Sequence, residues 1–496
     1  MAETATNLET PAPWSNGADG CETSDGRYST GQAPPAELRR APVVENNRGL
    51  GWLTDKLTAF TEGKTPRWWW MLFLPAAFFA TMVLPTMLIY QISTGIGVWG
   101  NNHPVMWGWD IINFVWWVGV AHAGTLISAM LFLTRQHWRT TIGRMAEAMT
   151  VFAVMMAGLY PAIHIGRAWF AWFMFPVPTY EGMWPQFRSP LMWDVFAVNT
   201  YLMVSTLFWY MGLIPDIALL RDRAKTRVRK FIYGLLALGW TGSARQWHHF
   251  EKAYVVLAGL CTLLVFTVSS IVGLDFCTSQ LAGWHATIFP LYFVIGAVFC
   301  GFGMVLVLLI PLRKWCHLEE IITMSHIDKV AKLTLVSGLM IAYIYAMEFF
   351  IAWYSGDPYE NWVFGHRLFG HTYWIFGWML IGINVCVTQL LWFKKVRANL
   401  KALFIIGLLI NLGMLTERFV IVVGSLYQDF LPANWGKYIP TIWDIGLYIG
   451  TLGAFFMMYL LFVKFLPMIA ISEVKGATPL GDPHHPLGGA KKGGQP

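Results

Sequence analysis

The stretch 286–311, ATIFPLYFVIGAVFCGFGMVLVLLIP, has no charged residue in 26 positions. As an α-helix rising about 1.5 Å per residue it would be roughly 39 Å long, more than the ~30 Å hydrocarbon core of a bilayer. A helix on the surface of a soluble domain has one apolar and one polar face. This run is apolar all round and predicts a membrane-spanning helix. Working outward from it, nine further runs qualify: 69–91, 111–134, 146–172, 194–219, 252–274, 331–355, 371–393, 401–424 and 443–467. The predicted fold class is an all-α integral membrane protein with about ten transmembrane helices.

The whole chain agrees. Of its 496 residues, 56% are hydrophobic and 13% charged, against about 25% charged for a soluble domain. So few charges cannot cover a water-soluble surface of this size. The 27 Trp suit interfacial belts. The net charge of +7 reads as the lysine and arginine excess of cytoplasmic loops, not as a nucleic-acid surface. Residues 1–65 are polar and rich in Gly, Pro, Ser, Asp and Glu, and are expected to be a disordered cytoplasmic tail without a cleaved signal peptide. Residues 66–470 form the membrane domain, and 471–496 a second disordered cytoplasmic tail.

Loop charge sets the orientation. One set of loops contains nineteen Lys and Arg, among them Arg135, Arg139, Arg144 and the basic stretch from Arg221 to Lys230; the opposite set contains three, Arg188, Arg367 and Lys437. By the positive-inside rule both termini are cytoplasmic. A shift of 184 residues places Ala168-Trp169 on Ala352-Trp353 and His164 on Glu348, and Trp109-Asp110 resembles Trp284-His285. Helices 2–5 and 6–9 therefore read as two related four-helix bundles, flanked by helices 1 and 10.

An ionisable residue inside a membrane helix costs about 2.5–3.5 kcal/mol even on the most lenient scale. In this orientation they gather toward the outer face: Asp110, His164, Arg167, Asp194, Asp275, Glu348, Glu417 and Arg418, with His122 near mid-membrane. The inner halves show little beyond Gln389 and Lys464. A transporter needs a polar path through the whole thickness or a site at the midplane. A one-sided pocket suits an apolar molecule with a polar head, such as a quinone, whose chemistry needs partners for two oxygens and acceptors for two protons. Plainer readings stand beside this one. Asp110, Asp194 and Asp444 can be helix caps, His122 a hydrogen-bonded core histidine, and Glu417–Arg418 a structural ion pair. The six cysteines are scattered, with no C-x-x-C, and suggest neither a cluster nor a zinc site. His122 and His164 differ in depth and no helix contains a histidine pair, so no haem, iron–sulfur cluster or metal is expected on this chain.

The segment from Trp109 to Ser128, WDIINFVWWVGVAHAGTLIS, together with His164-Ile165-Gly166-Arg167 and Thr416-Glu417-Arg418-Phe419, resembles the NrfD-like membrane subunits of the polysulfide-reductase family. Within that family these segments are similar to the quinol-binding C subunit of alternative complex III. The resemblance spans about residues 50–470. It implies quinol oxidation near the outer face of a bacterial inner membrane, with menaquinone the implied substrate and His164, Asp194, Asp275 and Arg418 around the quinol head. It also implies partners: a periplasmic iron–sulfur/molybdopterin-like subunit, multihaem cytochrome c subunits and a second NrfD-like membrane subunit. Asp110, His122, Arg167, Glu348 and Glu417 are further candidates for the pocket or a proton path. Two rival readings remain open, a proton channel or transporter of the same fold and a haem b cytochrome.

Overall fold

The computed structural model describes residues 43–179, 182–428, 430–478 and 480–481. Ten helices among them are long and apolar enough to cross a membrane: α2 (Arg67–Thr94), α3 (Trp109–Leu133), α4 (Gly143–His164), α5 (Pro190–Arg223), α7 (Ala244–Cys277), α8 (Phe289–Trp315), α9 (Met324–Ser355), α11 (Trp374–Trp392), α12 (Leu400–Leu426) and α13 (Ile442–Phe465). The chain is a multi-pass membrane protein. Four shorter helices complete the numbering: α1 (Leu50–Glu62), α6 (Arg227–Leu236), α10 (Pro358–Phe369) and α14 (Ile471–Gly476).

Consecutive helices pack as neighbours within two bundles, α3, α4, α5 and α7 in one and α8, α9, α11 and α12 in the other. The bundles meet through α8, which lies against both α3 and α7. The sequence of α8 explains its central place. Gly296, Ala297, Cys300, Gly301 and Gly303 give it small residues where neighbours approach, the usual device of helix pairs in lipid. By contrast α2 exposes Met71, Leu74, Phe78, Met82 and Ile89, and packs with α13 beside the first bundle. Such a rim of exposed apolar side chains is what lipid solvates.

Three expectations need correction. Both expected tails are too long. Helix α1 falls inside 1–65 and buries Leu53, Thr54, Leu57, Thr58 and Thr61, because its apolar and threonine positions recur at helical spacing. Helix α14 falls inside 471–496 and buries Ile471 and Val474. Of the two expected tails, residues 1–42 with Cys21, residue 479 and residues 482–496 lie outside the described residues. The third expected span also runs too far: α4 ends at His164, and a separate 3-10 helix, Ala168–Met174, follows. Gly166 makes this break, at φ +89°, where side chains other than glycine are strained.

Candidate functional site

His164 is the last residue of α4 and Asp110 the second of α3. Folding brings them together: His164 Nδ1 is hydrogen-bonded to Asp110 Oδ2. The other carboxylate oxygen, Oδ1, accepts from the Gly108 N–H at 3.2 Å. A carboxylate only accepts, so the proton between them belongs to Nδ1, and when the ring is neutral Nε2 is left as an acceptor. The Asp110 side chain is 1% exposed and that of His164 21%. The dyad thus has a buried, fixed carboxylate and an imidazole with one open edge. Trp107 stands edge-on to His164 at 6.4 Å and edge-on to Phe276 at 5.8 Å. Sequence reasoning missed Trp107. Its signal was present in the aromatic density of Trp107-Gly108-Trp109-Asp110.

Asp194 and Asp275 form the second pair. Their carboxyl groups lie close to each other. Each has a buried Oδ1 without a protein partner. Asp194 is not a cap, since Ser189 holds the N-cap position of α5. Asp444 is not the N-cap either, but it completes the cap of α13 three residues after the N-cap Thr441: its Oδ2 accepts from the N–H groups of Thr441 at 2.8 Å and Gly100 at 3.1 Å.

Arg418 belongs to a third group, inside the second bundle. Its Nη1 lies 2.7 Å from Glu417 Oε1, an ion pair between sequence neighbours whose geometry is not that of a hydrogen bond. Tyr345 donates to Glu417 Oε2, and Asn384 Nδ2 lies 2.9 Å from the Tyr345 hydroxyl. The Arg418 guanidinium sits 4.6 Å over Phe293, and Phe293 lies 5.2 Å from Phe276. Aromatic rings therefore stand between Arg418 and the Asp194–Asp275 pair. Glu348 is buried in the same bundle. Arg167 does not share the His164 face: it follows the helix end and is exposed.

His122 is fully buried. Its Nδ1 lies 2.5 Å from the Val118 carbonyl, its ring stacks on Tyr201 at 5.0 Å, and Nε2 has no protein partner. The opposite end of the first bundle is far from apolar, which corrects the expected one-sidedness. Arg144 Nη2 donates to Gly212 O at 2.6 Å and lies 3.5 Å from Asp216, while Nη1 lies 3.5 Å from Glu147. Arg139 pairs with Glu473 at 2.9 Å. Burial would lower the Arg139 pKa, but Glu473 and its neighbours more than offset this and hold it above its ordinary value. Arg139 and Arg144 read as loop charges in the sequence. Glu147 and Asp216 were missed although they stand inside apolar runs, where the criterion that found Glu348 would have found them.

The fold and these clusters define a class: polytopic membrane proteins with ionisable pairs buried at the helix ends of a doubled bundle. Among known families, the model described as "Polysulphide reductase, NrfD" matches residues 97–428, and the chain belongs to that family. It is 24% identical over 421 residues to the putative membrane subunit of a dimethyl sulfoxide reductase from Halobacterium salinarum, covering 79% of this chain and 90% of the relative. It is 21% identical over 415 residues to a subunit of the selenate reductase of Mesobacillus selenatarsenatis, covering 79% and 92%.

Proposed function

We propose that this chain is the quinol-oxidising membrane subunit of a respiratory or photosynthetic electron-transfer complex of the alternative complex III type. The observation that carries the reading is the His164–Asp110 dyad, a buried carboxylate behind an imidazole with an open edge. A quinol entering from the lipid donates one hydroxyl proton to His164 Nε2, and Asp110 stabilises the imidazolium that forms. The second proton goes to a free oxygen of the Asp194–Asp275 pair, with Asp275 positioning the head; Arg418, behind Phe293 and Phe276, is left out of the head's contacts. Two electrons leave to an iron–sulfur cluster on a partner protein at the outer face, and quinone remains. The relatives support the direction of flow. Each is named as a subunit of a reductase, and a reductase must be supplied with electrons. On this reading the partners are an iron–sulfur/molybdopterin-like subunit, multihaem cytochrome c and a second NrfD-like subunit, in a bacterial inner membrane.

The test is quinol oxidation by the purified complex. His164→Ala and Asp194→Asn should each lower it at least about tenfold, roughly 1.4 kcal/mol in the barrier, with the complex still assembled. Asp194→Asn keeps the shape of the side chain and removes the proton acceptor. A parental rate in an assembled Asp194→Asn complex overturns its role.

A second reading, proton movement through the first bundle, is favoured by the buried Arg144–Glu147–Asp216 network at one end and by His122 with its unpartnered Nε2. Proton uptake by the complex in sealed vesicles, abolished in His122→Ala while quinol oxidation persists, would establish it.

A further inference from the structure

Helix α10 packs against α9, α11 and α12 and presents Glu360, Val363 and Arg367 at the spacing of one helix face. All three meet Gly283, in the segment 278–288 that joins α7 to α8. The Gly283 N–H donates to both carboxylate oxygens of Glu360, at 3.0 Å each. The Gly283 carbonyl accepts from Arg367 Nη2 at 3.0 Å, and the same nitrogen donates to Ser425 Oγ on α12, also at 3.0 Å. One helix thus holds both backbone polar groups of one residue. Gly283 is at φ +82°, and a Cβ there would stand 2.8 Å from Val363 Cγ1 and 2.9 Å from Arg367 Nη2. Only glycine lets α10 come this close.

The next residue, Trp284, is buried, and its Nε1 donates to Ile421 O on α12 at 2.6 Å. Its ring lies 5.5 Å from Trp107 and 4.9 Å from Phe276. Trp107 is the ring that stands edge-on to His164 at 6.4 Å, and Phe276 follows Asp275 on α7. A chain of contacts therefore runs from α10 through Gly283 and Trp284 to the aromatic wall beside His164 and Asp275. Rings packed in series shift together, so this wall is only as fixed as Trp284.

We propose that Glu360 and Arg367 of α10 are positioning residues for the quinol site: they clamp Gly283 and so fix Trp284 and, through it, the Trp107 wall at the open edge of His164. The clamp rests on the quinol reading of His164. It gives the second bundle a part in the reaction, as the support for a site whose proton acceptors belong to the first. A displacement of about 1 Å caused far from the chemistry can cost about 10²-fold in rate, because reacting groups must be held in a near-attack geometry. Neither residue is assigned a proton or an electron. Their effect is on where the quinol head rests against Nε2.

The experiment is steady-state quinol oxidation by the purified complex, with subunit composition and thermal melting showing that each variant is assembled and folded. Glu360→Ala should lower kcat at least about tenfold and change KM by less. Glu360→Gln keeps an oxygen that can accept from the Gly283 N–H, and should recover most of that loss. In a Trp107→Ala background the wall is already gone. There Glu360→Ala should cost less than about twofold further, whereas independent sites would add in full. If Glu360→Ala does not assemble, Glu360→Asp takes its place in each comparison, since it keeps the charge and withdraws the carboxylate by one methylene. A parental kcat in the assembled Glu360 variant, an equal loss in Glu360→Gln, or a second full loss in the Trp107→Ala background overturns the clamp. His164→Ala is measured alongside, and a parental rate there overturns the quinol reading of His164 itself, an outcome that the Glu360 variants do not produce.

Discussion

Asp110 shows how one residue can satisfy two readings. Its Oδ1 ties down the Gly108 N–H just before α3, as a residue near a helix start does, and its Oδ2 holds His164. The second contact gives the residue its proposed role, because it fixes which ring nitrogen is the acceptor. Asp110→Asn keeps the volume and a hydrogen-bonding oxygen, but it can present an N–H to Nδ1 and so favour the other tautomer, with Nε2 protonated. Quinol oxidation in the assembled complex should then fall at least about tenfold, near 1.4 kcal/mol, with kcat falling more than KM rises. An unchanged kcat would show that the dyad only anchors the end of α4. At this scale the residue types were legible, since a histidine and an aspartate in apolar runs are conspicuous. Their pairing was not, because the two positions are 54 residues apart and nothing local connects them. The same holds for Asp194 and Asp275. Arg418 shows the opposite case: depth alone placed it with the others, while packing put Phe293 and Phe276 in between.

Among the elements, α4 and α5 are held at their far ends by buried charge. Arg144 is the hub, touching Glu147 on its own helix and Asp216 and Gly212 on α5. Gly212 makes the approach possible, since a Cβ there would stand 2.4 Å from the Arg144 guanidinium. Arg144→Met removes the shared cation and leaves two buried carboxyls, Glu147 and Asp216, without it. Breaking a buried ion pair from one side typically costs about 3–5 kcal/mol. The variant should melt well below the parent in nanodiscs, and adding Glu147→Leu and Asp216→Leu should recover a good part of the loss. Failure of the triple variant to recover would mean that the arginine matters through its backbone contacts at Trp209 and Gly212 rather than through charge. The spans themselves were legible from apolar length alone, and nine of the ten each coincide with one helix. Several helices continue past the apolar run into polar sequence, as α7 does over 244–251 and α9 over 324–330, because hydropathy marks the hydrocarbon thickness and not the helix. The exception, the end of α4, depends on a glycine at positive φ inside a sequence whose aromatic residues continue the apolar pattern through Trp172. Hydropathy does not sense backbone dihedrals.

For the whole molecule, charge decides which way the bundle faces. The packing changes the tally in two ways. Arg139 and Arg144 leave the loop set, being buried in the network with Glu147, Asp216 and Glu473. Arg167 joins the opposite set, because α4 stops short of it. The bias survives both changes, since the basic stretch through Arg221, Arg223, Lys225, Arg227, Arg229 and Lys230 stays together at one end with α6. Helix α6 strengthens the case. Arg227, Arg229 and Lys230 accompany exposed Val228, Phe231, Ile232 and Leu235, a basic amphipathic helix suited to an anionic leaflet surface. The C-terminal segment reaches the same end, where Asp216 accepts from the N–H groups of Ile471 at 3.2 Å and Ser472 at 3.0 Å. Reporters inserted near Lys225 and fused after Pro496 should therefore both score as cytoplasmic, and one inserted near Arg188 as external. The His164–Asp110 dyad would then face the outer side, as electron delivery to an external iron–sulfur partner requires. A reporter near Lys225 that scores as external would turn the dyad to the cytoplasm and remove that partner from the proposal, leaving the geometry of the site unchanged.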